Sequence, residues 1–136
     1  MERRRLWNYL CTLHSSIYEE PWLLSGDFNI VASAMESSPI MSTISTEMKE
    51  FTDTLIKLSI HDHRFTGPLY TWSNHQPEGP LVRKLDRVLI NDNWLPRFGQ
   101  SMVEFLAPEV SDHCPALIML QQDSDIPPKP FRFFNF

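Results

Sequence analysis

Apolar positions recur along the chain in two rhythms. Leu6, Leu10, Leu13 and Ile17 fall at i, i+4, i+7 and i+11, which is one face of a helix with ~3.6 residues per turn. Pro21 marks its boundary. Trp22-Leu23-Leu24 then runs into Ser25-Gly26-Asp27-Phe28-Asn29, which reads as a buried strand with Asp27 and Asn29 at its C-terminal end. Residues i and i+2 share a face of an extended chain, so Asp27 and Asn29 point the same way if the extension persists. Ala34 to Ser45 reads as a loop. Met48, Phe51, Leu55 and Leu58 repeat as a second helix with Glu47 in its first turn. His61-Asp62-His63 falls near that helix end.

The second half reads mainly as strands. Gly67-Pro68 is a turn signal, and Leu69 to Ser73 is a strand. Asn74 to Pro80 is a turn. Leu81 to Ile90 is a longer strand, with Asp86, Val88 and Ile90 on one face and Leu85, Arg87 and Leu89 on the other. Asn91-Asp92-Asn93 caps a short helix through Trp94 and Leu95. Met102 to Leu106 and Pro115 to Leu120 complete the strands, joined through a polar junction at Val110 to His113. Helices and strands alternating in this way predict an α+β layered domain.

Composition narrows the picture. The chain has 136 residues, a size suited to one domain of ~100–150 residues. It divides at about residue 122: 1–122 carries the patterned elements, and 123–136 is a tail. The tail holds Pro127, Pro128 and Pro130, followed by Phe131-Arg132-Phe133-Phe134-Asn135-Phe136. No run of ~18 apolar residues exists, so no membrane span or membrane partner is expected. No apolar signal core follows the basic Met1 to Arg5, so secretion is not expected. Cys11 and Cys114 are too few for a disulfide framework and read as reduced thiols. Both features suit an intracellular protein, nuclear or cytoplasmic. The net charge of −5 argues against gripping nucleic acid by bulk charge. It does not exclude a metal-dependent phosphodiesterase, whose ligand carboxylates make the bare chain acidic.

Three polar clusters sit at strand ends: Gly26-Asp27-Phe28-Asn29, Leu85-Asp86-Arg87 and Ser111-Asp112-His113-Cys114-Pro115. Each alone is weak, because aspartate at a strand end is usually a turn former. Asp86 could simply pair with Arg87 or Lys84, and His113 could be a satisfied buried histidine. Trp72 reads as core rather than as a base-stacking platform. His61 and His63 look metal-like, but no matching cysteine or histidine set completes a zinc site. Cys114 reads as core, and Arg3 to Arg5 as a solvated helix start.

In this order, the clusters resemble the endonuclease/exonuclease/phosphatase superfamily, which has the deoxyribonuclease-I-like fold. Trp22 to Asn29, Tyr70-Thr71-Trp72-Ser73-Asn74, Lys84 to Leu89 and Ser111 to Pro115 resemble the plant-type endonuclease domain of long interspersed (non-LTR) retroelements. The resemblance spans roughly Leu6 to Leu120, and Pro130-Phe131-Arg132-Phe133 resembles the start of a linker toward a reverse transcriptase. It implies a Mg²⁺-dependent phosphodiesterase acting on DNA, with Mn²⁺ as an alternative ion. Asp27 would take a proton from the attacking water, and Asn29 would fix that water or the phosphate. Asp112, with Asp27 and Asn29, would hold the ion. His113 would touch the scissile phosphate, and Asp86 would accept a hydrogen bond from it and favour the imidazolium. Asn74 and Arg87 would contact the DNA backbone.

The resemblance also carries a departure. The match covers the C-terminal half of a four-layer α/β/β/α sandwich with a mainly antiparallel sheet. The upstream Gln-Glu motif, the catalytic tyrosine and the first half of the fold have no counterpart. Glu19 and Glu20 beside Pro21 do not supply that motif. A half-sandwich would expose an apolar sheet face, so an upstream half-domain or a self-associating copy is expected to cover it. Without the upstream motifs the chain on its own is expected to be weak or inactive; a catalytically dead remnant or binding fragment, and a phosphatase of the same superfamily, are the alternatives.

Overall fold

A computed structural model describes residues 2–120. The tail at 123–136 lies outside the described residues. Helix α1 spans Glu2–Ile17 and buries Trp7 and Leu10. Leu6, expected on the inner face, is exposed, because Trp7 takes the inward position. Helix α2 spans Thr46–Leu58. Ser45 caps it by accepting a hydrogen bond from the Met48 amide, and Ser59 closes it in a left-handed conformation. Both devices satisfy backbone groups that a helix end leaves open. Trp7 of α1 stacks on Phe51 of α2 with centroids 5.2 Å apart. Phe51 is fully buried, a burial that contributes ~1.5–3 kcal/mol.

The helices cover a sheet built from β1 (Leu23–Asp27), β7 (Asp86–Asn91) and β3 (Ile60–Asp62), in the order β1-β7-β3 with both pairings antiparallel. Leu24 and Leu89 face the helices, while Leu23 and Val88 face the other way. That alternation matches the faces predicted for residues 85–90. The opposite face meets a sheet of β4 (Phe65–Thr66), β8 (Met102–Phe105) and β9 (Ala116–Met119), in the order β4-β8-β9. Val88 packs there with Val103, Phe105 and Cys114. The result is a helix layer and two sheet layers, an α+β arrangement rich in antiparallel pairing. Gly67 lies where β4 passes β8: at φ +92, an added Cβ would fall 2.0 Å from the Phe105 carbonyl oxygen. Only glycine permits that approach.

A third small sheet joins β2 (Ser37–Ser38), β6 (Val82–Arg83) and β5 (Trp72–Ser73). It changes several sequence expectations. The 34–45 loop contains a 3-10 turn at Ala34–Glu36 as well as β2. The strand expected over 69–73 shortens to β5. The strand expected over 81–90 divides into β6 and β7, which belong to different sheets. At the break, the Lys84 amide donates to the Glu36 carbonyl and the Leu85 amide to the Thr71 hydroxyl. Distant partners thereby draw the chain out of one ladder and into another.

Other boundaries also shift. His61 and Asp62 follow closely on the end of α2, as expected, and lie in strand β3. Phe65–Thr66 forms a two-residue strand, too short to show a hydrophobic pattern. Helix α3 spans Trp94–Arg97, but Asn93 makes no side-chain cap; its side-chain Nδ2 donates to the Tyr18 carbonyl instead. The expectation of a buried first strand holds only at its start. Leu23 and Leu24 are half-buried and Ser25 to Asp27 exposed, because β1 is the sheet edge, paired with β7 alone. No helix among the described residues is long and apolar enough to cross a membrane.

Candidate active site

The site forms where β1 ends and β7 begins. Asp27 and Asp86 are direct cross-strand partners in that ladder. Side chains that face one another this way lie on one side of the sheet, and like charges so placed repel. The arrangement calls for a cation. His113, brought in by the loop before β9, supplies one: its Nδ1 donates to Asp86 Oδ2 at 2.8 Å, and its Nε2 stands 3.9 Å from Asp27 Oδ2. Partial burial works against charge on the imidazole. The hydrogen bond to Asp86, and attraction to Asp86, Asp27 and Asp112, outweigh it and hold the His113 pKa above its ordinary value.

The chain turns sharply around Asp27. Gly26 has φ +149, outside the comfortable range of residues with a Cβ. Asn29 has φ 55, so the extended conformation ends before it. Asp27 and Asn29 therefore do not share a strand face. Instead the Asn29 amide donates to Asp27 Oδ1 at 2.7 Å, an Asx turn that fixes the carboxylate. Arg3 of α1 ties down the same turn by donating to the Asn29 carbonyl at 2.5 Å.

Asp112 is exposed and held from the other side. The Trp72 indole Nε1 donates to its Oδ2 at 3.0 Å, and the Ser73 amide donates to its carbonyl at 3.1 Å. The indole hydrogen bond, reinforced by the residue's own backbone, holds the Asp112 carboxyl below the usual range. Trp72 is thus half-buried core with a polar edge aimed at the site. The sequence reading gave it only the core role; an indole one residue from Ser73 and beside a strand end was the available signal.

Asp27, Asp86 and His113 could hold a metal ion, with ligand atoms all within 4.8 Å of one another. This set differs from the expected ligands Asp112, Asp27 and Asn29. Asp112 is not part of that cluster, because Trp72 holds its carboxylate elsewhere. Two carboxylates suit a hard cation such as Mg²⁺, which takes one or two and keeps its waters. Imidazole suits softer ions better than Mg²⁺, so with Mg²⁺ the carboxylates are the natural ligands, while the His113 Nδ1 bond to Asp86 orients the ring.

Two expected DNA contacts are corrected. Arg87 is 1% exposed. Its guanidinium is paired with Glu36 and, at 2.6 Å, with Asp62 beneath Phe51. Facing the helix layer, it cannot reach a phosphate. Asn74 spends its side chain on its own hairpin: Oδ1 accepts the Gln76 and Leu81 amides, and Nδ2 donates to the Gly79 carbonyl. Among the weaker readings, His63 is buried and satisfied by the Arg64 carbonyl and Ser101 Oγ. Cys114 is buried in the second cluster, and burial pushes its thiol pKa up. Arg4 pairs with Glu50 at 2.6 Å on the surface.

Beside the His113–Asp86 pair opens a cleft of about 580 Å³, lined by Ser25, Gly26, Leu106, Val110 and Ser111. The model of the endonuclease/exonuclease/phosphatase family matches residues 17–113, a span that contains the first two polar clusters and Ser111-Asp112-His113 of the third. The chain belongs to the endonuclease/exonuclease/phosphatase family. Family membership makes this a domain of the metal-dependent phosphodiesterase, nuclease and phosphatase class. A comparison with curated proteins returned no match.

Proposed function

We propose that this chain hydrolyses phosphodiester bonds in DNA with a divalent cation, Mg²⁺ or Mn²⁺, as an endonuclease of the retroelement type. The observation that carries the reading is the bridge from Asp86 through His113 toward Asp27, with distances of 2.8 and 3.9 Å. The second gap is wider than a hydrogen bond, so both atoms are free to turn to a ligand. Asp86 fixes the imidazole and favours its protonated form. His113 Nε2 then donates a hydrogen bond, or a proton, toward the phosphate and leaving oxygen. Asp27, held by its Asx turn, accepts the proton of an incoming water. Asn29, exposed beside it, fixes that water or a phosphate oxygen.

A bound divalent cation would neutralise phosphate charge and polarise the ester. Asp27 and Asp86 are the carboxylates placed to hold it, with Asp112 at the rim. This is a loose set, and His113 already neutralises part of it. We therefore propose weak activity for this chain on its own. Exposed Met102, Leu106, Leu117 and Leu120, on and around the β4-β8-β9 sheet, support a covering surface there. An upstream half-domain or a second copy would supply it.

Supercoiled plasmid incubated with the chain in Mg²⁺ is expected to give slow nicking that chelator abolishes. Equal conversion with chelator would refute the metal-dependent reading. Hydrolysis of a phosphate monoester without plasmid nicking would replace it with a phosphatase.

A further inference from the structure

We infer that Thr71 is the positioning residue that joins the two halves of this site. The inference rests on the reading of Asp86 and His113 as the reactive pair. These residues are 27 positions apart and belong to different strands and loops, so something must register one against the other. Thr71 is completely buried. Its Oγ1 accepts two backbone amides, from Leu85 at 3.0 Å and from Asp86 at 2.9 Å. A hydroxyl has two lone pairs, and both are used here. Its own carbonyl accepts the Cys114 amide at 2.7 Å, and its amide donates to the Arg83 carbonyl at 3.0 Å.

One residue therefore grips the segment that carries Asp86 through its side chain and the segment that carries His113 through its backbone. The next two positions extend the grip. Trp72 forms a backbone bridge with His113, and Ser73 holds the Asp112 carbonyl. The side chain does what backbone pairing cannot. Asp86 opens β7, where its carboxylate must meet the imidazole, and the Thr71 hydroxyl satisfies its amide and that of Leu85 at the point where β6 gives way to β7.

Valine keeps the shape of threonine and removes the acceptor; serine keeps the acceptor and removes a methyl. At a temperature where each variant is fully folded, Thr71→Val is expected to lower turnover by about 10- to 100-fold with KM unchanged. Thr71→Ser should stay within about threefold of the parent chain. A purely structural role would make both rates follow stability.

A second readout needs no activity. The His113 Nδ1 proton, bonded to Asp86, should give a downfield proton resonance in the full chain, and that resonance should vanish in Thr71→Val and persist in Thr71→Ser. Persistence in both variants overturns the inference. A parent chain that cleaves nothing removes the function reading and leaves the resonance to decide Thr71. Should Thr71→Val not fold, amide exchange in the parent chain decides. Slow exchange at Leu85 and Asp86 upholds the inference, and exchange as fast as in the exposed Gln76–Gly79 loop overturns it.

Discussion

Replacing Arg87 with methionine tests whether that residue belongs to the core or to a DNA surface. The parent guanidinium is 1% exposed and donates to Glu36 and Asp62, whose side chains are 18% and 33% exposed. Hydrogen bonds between charged groups contribute roughly 1.5–3 kcal/mol each. Breaking a buried pair costs about 3–5 kcal/mol, because the remaining charge is stranded. Two terms reduce the loss. Both acids retain some water, and Lys84, buried 3.9 Å from Asp62, no longer feels repulsion from Arg87. Lys84 is itself held below its ordinary pKa, first by burial and also by the neighbouring Arg87 charge, so loss of Arg87 relieves part of that destabilisation. The lower end, about 3 kcal/mol, is the expected loss. With a urea slope of ~1–3 kcal/mol/M, the midpoint should fall by about 1–3 M. Arg5→Gln, on the exposed side of α1, should stay within about 0.5 kcal/mol of the parent. A loss below about 1 kcal/mol for Arg87→Met, with an unchanged slope, would refute the buried-cation account.

Three further outcomes follow from the same geometry. The His113 pKa is raised above its ordinary ~6.5, so its contribution to stability is fully present below that value and is lost as pH rises through the folded pKa. NMR titration should show the raised value, Asp86→Asn should bring it back toward the ordinary one, and added Mg²⁺ should lower it; a titration at or below ordinary in the parent chain would contradict the pairing. Trp72→Phe removes the indole donor to Asp112, so that carboxyl should titrate higher in carbon-detected NMR while His113 keeps its resonance; an unmoved Asp112 would show that the indole contact does not form in solution. Gly67→Ala places a methyl against the Phe105 carbonyl and should cost ~1–3 kcal/mol in thermal unfolding; a neutral effect would mean that β4 and β8 are further apart than described.

Much of this was readable where the cause is local. The spacing of Met48, Phe51 and Leu58 produced α2, and alternation along residues 85–90 assigned its faces. Motif order brought Asp27, Asp86 and His113 to the same expectation, and their mutual geometry is compatible with it. What was not readable came from partners far along the chain. Arg87 alternates with Val88 like a surface residue; nothing nearby announces Asp62, 25 positions away, or Glu36, 51 away. The break between β6 and β7 depends on Thr71 and the Glu36 carbonyl, so a continuous β pattern concealed it. Asn74 looked free because its amides and carbonyls are supplied by a hairpin that only the fold closes. Asn29 was expected to continue a strand, whereas its positive φ follows from the Asx turn with Asp27 and the hold of Arg3 on its carbonyl.

The central claim is that the Asp86–His113 pair drives metal-dependent cleavage of DNA. Comparing plasmid nicking by the parent chain and by His113→Ala, in Mg²⁺ and at equal folded concentration, tests it most directly. The account predicts slow nicking by the parent and a loss of about 10²-fold or more in the variant, the usual contribution of a positioned acid–base group. Equal nicking by both proteins would contradict it.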